Sequence, residues 1–205
     1  MNFELQTILD AFAAMPLPEV AAVILGIAYV ILAAKESVWC WVAGFFSTLI
    51  YTYLFFDGQL YFSTILNLFY MGMSIYGFIL WKTGAKRDDT QLKVTGWSYR
   101  RQVTAIVGAV LISFLLAFFF ADLLNARMPY LDASVTVFSM LATWMMAHKI
   151  LQAWIFWVVI DTAAIILYWS TGYHVTIVLF MFYILLAVYG YASWQTSKAE
   201  TGDES

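Results

Sequence analysis

The chain is poor in charge and nearly devoid of the residues that build metal or disulfide sites: one cysteine, two histidines and three prolines in 205 residues. Only 11% of its residues are Asp, Glu, Lys or Arg, against about 25% in an ordinary soluble domain. A soluble protein of this length needs a charged exterior, which charges placed mostly in the gaps between apolar blocks cannot supply. Cys40 has no partner for an intrachain disulfide and, between Trp39 and Trp41, reads as a small packing residue. His148 beside Lys149 reads as a solvated turn and His174 is isolated, so no metal-ligand set exists and no cofactor is implied. There is no Gly-rich phosphate loop, no H-E-x-x-H, no nucleophile elbow, and no second acid near enough to Asp161 in sequence to suggest an aspartyl dyad. Neither an enzyme nor a nucleic-acid partner is indicated. The opening stretch "MNFELQTILDAFAAMPLPE" carries no Lys or Arg before its apolar part, so a cleaved signal peptide is not expected.

What is present is apolar and aromatic: 63% and 19% of the residues. Blocks long enough for a hydrocarbon layer of roughly 30 Å fall at about 17–34, 38–56, 60–81, 103–124, 130–147, 150–169 and 173–194. They predict an all-α integral membrane protein of seven transmembrane helices whose first partner is the lipid bilayer. The stretch 82–102 is polar and basic and reads as an exposed linker. Seven spans put Lys35, Lys82, Lys86, Arg87, Lys93, Arg100, Arg101, Lys149 and Lys198 on one side and Arg127 alone on the other. Cytoplasmic loops hold the excess of Lys and Arg, so the amino tail (1–16) is expected outside and the carboxyl tail (196–205) in the cytoplasm of a plasma (inner) membrane.

The chain also repeats itself at an offset of 113 residues. Trp41 and Trp154, Leu54 and Leu167, Leu66 and Leu179, Phe69 and Phe182, Tyr70 and Tyr183, Tyr76 and Tyr189, Gly77 and Gly190, and Trp81 and Trp194 all share that register. It lays spans one to three (17–81) on spans five to seven (130–195). Three is odd, so a fourth crossing (103–129, with the loop that follows it) restores the direction of the second unit. The expected architecture is therefore 3+1+3, with two parallel pseudo-symmetric repeats, as in the sugar carriers called SWEETs, whose substrates sit near the midplane.

In "QAWIFWVVIDTAAIILYW" (152–169), Trp154, Trp157 and Asp161 have i, i+3, i+7 spacing and share a helix face, with Tyr168 two turns further on. An Asp at mid-membrane costs roughly 2.5–3.5 kcal/mol on insertion scales, so it faces a partner, a cavity or a substrate. Its repeat mate is Thr48. On the third span Asn67, Tyr70 and Ser74 have the same spacing, and Tyr183 is the counterpart of Tyr70. Together these make a wall of aromatic faces with a few polar points. Structural roles compete with ligand contact: Asp161 as glue between helices, and Asn67 in an interhelical hydrogen bond. Trp39, Trp81, Trp97, Trp169 and Trp194 lie near helix ends and read as an interfacial belt. Gly77 and Gly190 read as close-packing sites.

The "WIFWVVIDTAAIILYWSTGYHVTIVLFMFYILLAVYGYASW" segment, with its W-x-x-W-x-x-x-D core, and its counterpart "WCWVAGFFSTLIYTYLFFDGQLYFSTILNLFYMGMSIYGFILW" resemble the PnuC family of vitamin transporters over residues 17–195. That resemblance implies facilitated diffusion of nicotinamide riboside, an NAD precursor, with trapping by a cytoplasmic nicotinamide riboside kinase. It also implies substrate contact by Trp154, Trp157, Asp161, Asn67 and Tyr70. Thiamine, or another vitamin of the same family, is the first alternative. A neutral-sugar carrier and a seven-helix ligand-sensing receptor are others. A homo-oligomer built through the fourth helix is compatible with such a chain and not dictated by it.

Overall fold

The computed structural model describes residues 15–58, 61–84, 92–124, 128–171 and 174–202. The amino tail to residue 14, Lys86, Arg87, Arg127, the side chain of His174 and the last three residues lie outside that description. Seven helices follow one another: α1 (Leu17–Ala34), α2 (Trp39–Asp57), α3 (Tyr61–Gly84), α4 (Tyr99–Leu124), α5 (Pro129–Ala147), α6 (Ala153–Thr171) and α7 (His174–Gly202). The three prolines sit at helix starts, Pro16 and Pro18 at α1 and Pro129 at α5, where a missing N–H removes no helical bond. Five helices, α1 to α4 and α7, are long and apolar enough by length and composition to cross a membrane. α6 holds a shorter apolar run, 153–169. In α5 the polar residues Asp132, Ser134, Thr136, Ser139 and Thr143 dilute the run.

Among the described residues the helix contacts form a ring. α1 packs on α2, α2 on α3, α3 on α5, α5 on α6, α6 on α7, and α7 returns to α1. α4 stands outside and touches α5 alone. It turns the small stripe Ala109, Ser113 and Ala117 inward and leaves Val107, Val110, Leu111, Phe114, Phe118 and Phe119 exposed. Such a face suits hydrocarbon, where close backbone approach rather than burial from water holds helices together.

One end of the ring is closed by two turns of the same construction. After α1, Glu36 N–H donates to Ala33 O and Ser37 N–H to Leu32 O; after α5, Lys149 N–H donates to Met146 O and Ile150 N–H to Met145 O. This is the double bond pattern of a Schellman cap, which places the residue after the C-cap in the left-handed region. Glycine is usual there, yet the residues are Glu36 (φ 55°) and Lys149 (φ 50°), and they are 113 positions apart. Their side chains form an ion pair, Nζ to Oε2 2.6 Å.

At this end two expectations from the sequence are corrected. Trp81 and Trp194 are buried, not interfacial: Trp81 Nε1 donates to Ala147 O and Trp194 Nε1 to Ala33 O, each at 2.9 Å. Helix ends leave carbonyls without intrahelical partners, and these indoles meet that need inside the protein. Trp39 and Trp169 are exposed. The linker is not loose where it nears α4. Val94 is buried, Thr95 pairs through its backbone with Lys149 O and Leu151 N–H, and Trp97 N–H donates to Gln152 Oε1 at 3.0 Å. An apolar Val between polar neighbours let the segment dock on the α5–α6 turn.

Candidate functional site

Inside the ring lies a cavity of about 250 Å³, just under the usual span for drug-sized ligands of about 300–1,000 Å³. All six ring helices line it and α4 does not: Gly26, Tyr29 and Val30 from α1; Trp41, Gly44, Ser47 and Thr48 from α2; Tyr70 and Ser74 from α3; Thr143 and Met146 from α5; Trp154, Trp157 and Asp161 from α6; Phe180, Tyr183 and Ala187 from α7. Trp154, Trp157, Asp161, Thr48, Tyr70, Ser74 and Tyr183 are thus brought to one space. Asn67 is not among the lining residues. Its amide nitrogen donates to Ser63 O within α3 at 2.9 Å. Tyr168 also lies off the lining and stacks on Phe180, ring centroids 5.5 Å apart.

Twelve of the seventeen lining residues form six pairs at the 113-residue offset: Val30 and Thr143, Trp41 and Trp154, Gly44 and Trp157, Thr48 and Asp161, Tyr70 and Tyr183, Ser74 and Ala187. The pairs separate what is symmetric from what is not. Trp41 and Trp154 are both buried, and neither indole N–H has a hydrogen-bond partner. Each lies across a glycine: a Cβ on Gly77 would stand 2.4 Å from Trp41, and one on Gly190 2.6 Å from Trp154. The side walls differ. Where α6 carries Trp157, the equivalent position of α2 is Gly44, over which Tyr29 packs, and where α6 carries the carboxylate of Asp161, α2 carries the hydroxyl of Thr48.

The polar groups present acceptors. Ser47, Thr48, Ser74 and Thr143 donate their hydroxyl protons to the carbonyls of Ala22, Gly44, Tyr70 and Ser139 at 2.8–2.9 Å. In an apolar helix a hydroxyl turns to a backbone oxygen when no water is near, leaving its lone pairs free. Asp161 is 3% exposed and, among the described residues, makes no hydrogen bond or ion pair. Among the described residues, no Lys, Arg or His lines the cavity.

Trp41, Tyr29, Gly44, Ser47 and Phe180 are lining residues that sequence spacing alone does not single out. The repeat register points directly to Trp41 as the mate of Trp154 and to Gly44 as the mate of Trp157. Tyr29 has Ala142 as its mate and carries no comparable signal.

A ring of apolar helices around a small aromatic chamber that holds a buried acid has the build of a membrane carrier for a small solute. A family model described as nicotinamide mononucleotide transporter matches residues 17–196, and the chain belongs to that family of membrane transporters; it is not an enzyme. Similar curated proteins include the nicotinamide riboside transporter PnuC of Escherichia coli (strain K12), 22% identical over 91% of this chain and 88% of that protein. The nicotinamide riboside transporter PnuC of Neisseria mucosa is 26% identical, covering 84% and 70%. The riboflavin/roseoflavin transporter RibM of Streptomyces davaonensis is 27% identical, covering 83% and 81%. The fold matches the crystal structure of the vitamin B3 transporter PnuC with a TM-score of 0.75 at 21% identity, over 96% of this chain and 88% of that one.

Proposed function

We propose that the chain carries nicotinamide riboside across the cytoplasmic membrane by facilitated diffusion, and that a separate cytoplasmic kinase traps the substrate as its phosphate. The observation that carries this reading is the chemistry of the cavity: among the described residues it has aromatic faces, acceptor oxygens, one unpartnered acid and no cation. Nicotinamide riboside is a flat pyridinium cation whose amide and ribose hydroxyls are donors. Aromatic faces attract such a ring by up to about 2 kcal/mol each when water is excluded, and an ionised acceptor strengthens hydroxyl hydrogen bonds. A phosphorylated nucleotide would bring its own negative charge to Asp161 with no Lys or Arg among the described lining residues to meet it. Lys149, though buried, lies off the lining and is paired with Glu36. Ligand contact is assigned to Trp154, Trp157, Asp161, Tyr70, Ser74, Thr48 and Tyr183. Asn67, whose amide donates to Ser63 O, stands one turn before Tyr70 on α3.

Architecture and orientation belong to the same proposal. The units α1–α3 and α5–α7 are two repeats about an axis along the membrane normal, α4 is the connecting span, and the units rock about the cavity to open it to each side in turn. In support, exchanging the two units leaves the ring of helix contacts unchanged, and the cavity is lined in repeat pairs. The end that carries the α1–α2 and α5–α6 turns and the linker is cytoplasmic, because nine of the ten basic residues fall there.

Thiamine, another cationic aromatic vitamin, suits the same lining. Uptake of labelled nicotinamide riboside, thiamine, riboflavin and nicotinamide mononucleotide by proteoliposomes tests the reading. The expected result is saturable uptake of the riboside above the other three. Preferred uptake of thiamine or riboflavin would reassign the substrate, and binding without movement of any solute would make the protein a receptor.

A further inference from the structure

From the cavity toward the linker end, side chains follow in layers. Trp41 and Trp154 face the cavity. Trp81 packs edge-on against Trp41 and Trp194 edge-on against Trp154, with centroids 5.5 and 5.4 Å apart, and Trp81 and Trp194 meet each other at 6.1 Å. Lys149 Nζ lies 4.7 Å from the centre of the Trp81 ring and pairs with Glu36.

We infer that Glu36 and Lys149 are the latch of a cytoplasmic gate, an ion pair that joins the two three-helix units across their pseudo-two-fold axis and opens each time substrate passes to the cell interior. The inference rests on the transport reading above. Its support is geometric. The two residues occupy equivalent positions, 113 apart, so a contact between them joins the two units at the axis that relates them. Both stand in left-handed backbone where glycine is usual, a conformation that disfavours a side chain and persists where the surroundings hold it. Three neighbouring hydrogen bonds also run between units: Trp81 to Ala147 O, Trp194 to Ala33 O, and Ser193 Oγ to Ala34 O. A rocking motion that parts the units at this end must break all of them together. Water then hydrates the separated charges, so the open state is not left with a buried ion, whereas in the closed state removing one partner leaves the other buried and unpaired. The carboxylate and the ammonium are thus held in a two-state contact of the kind alternating access requires.

Cys40, buried in the same cluster and the only cysteine of the chain, is a built-in reporter. The measurement is the rate of maleimide labelling of Cys40 in proteoliposomes, alongside nicotinamide riboside uptake and thermal unfolding, for the wild type, Glu36→Gln, Lys149→Gln and the swap Glu36→Lys with Lys149→Glu. Labelling in the single variants should rise roughly tenfold while uptake falls several-fold, as a population shift of that size predicts. The swap should regain slow labelling and most of the uptake. Unchanged labelling and uptake in the single variants would overturn the latch, as would lower thermal stability with normal uptake, or a swap no better than either single variant. If a single variant fails to fold, the swap decides alone. A wild type that takes up no riboside sinks the substrate reading, while Cys40 labelling still judges the gate.

Discussion

Asp161 is almost fully enclosed, yet among the described residues nothing in the protein bonds to its carboxylate. An unpartnered polar group in that position lowers the stability of the empty protein, a cost that the proposed ligand contact would offset. Asp161→Asn should therefore leave the unfolding temperature in detergent unchanged or raised, while the affinity for nicotinamide riboside drops roughly tenfold with the loss of a charged acceptor. Trp157→Ala should weaken binding about as much through loss of its cation–π face, and titration calorimetry reads both. Normal binding by both variants would remove the cavity from consideration as the substrate site. Asp161, Trp154 and Trp157 are legible in the sequence because a charge interrupts an apolar run and the indoles share its helix face. Asn67 shows where that reasoning stops. Its spacing is the same as that of Tyr70 and Ser74, but its short side chain finds Ser63 O within its own helix, a local alternative that spacing does not reveal.

At the scale of helices, the glycines decide how closely α3 meets α2 and α7 meets α6. A methyl group on Gly190 would overlap the Trp154 indole, whereas one on the exposed Gly72 of α3 meets nothing within 4 Å. Gly190→Ala, and its mate Gly77→Ala, should each cost about 1–3 kcal/mol, as overpacking does. Gly72→Ala should be neutral or mildly stabilising, since it relieves only the backbone entropy of a helical glycine. Thermal unfolding of the three variants side by side checks this, and equal stability of all three would contradict the packing. Element identity is plain in the sequence for five of the helices, α1 to α4 and α7, because their apolar blocks have about the length that a hydrocarbon layer of roughly 30 Å asks for. The fate of the end tryptophans is not: a Trp at a helix end serves equally as interfacial belt or as donor to a neighbouring carbonyl. Only the approach of α5 to α3 and of α1 to α7 turned Trp81 and Trp194 inward.

For the whole molecule, the described residues include neither a nucleotide-binding loop nor a group of His, Cys, Asp or Glu able to hold a metal ion, and the proposed cycle uses only the rocking of two units. Flux should then run until the riboside concentrations on the two sides are equal. Imposed proton or sodium gradients should leave the endpoint unchanged in proteoliposomes, and co-encapsulated kinase with ATP should raise total accumulation. Uptake beyond equality without the kinase, driven by either ion, would replace diffusion by coupled transport.

Composition by itself determined that this chain is helical and embedded in lipid, since apolar runs of that length have no stable place in water, and its internal register related the two halves residue by residue. The tertiary structure decided what those relations mean in space. Six helices close into a ring, so that residues far apart in sequence come together: Trp41 and Trp154 on one cavity, Glu36 and Lys149 in one ion pair. A periodic pattern reports which face of a helix is apolar; it carries no information about which other helix covers that face, and that choice alone creates the cavity and the ion pair beneath it.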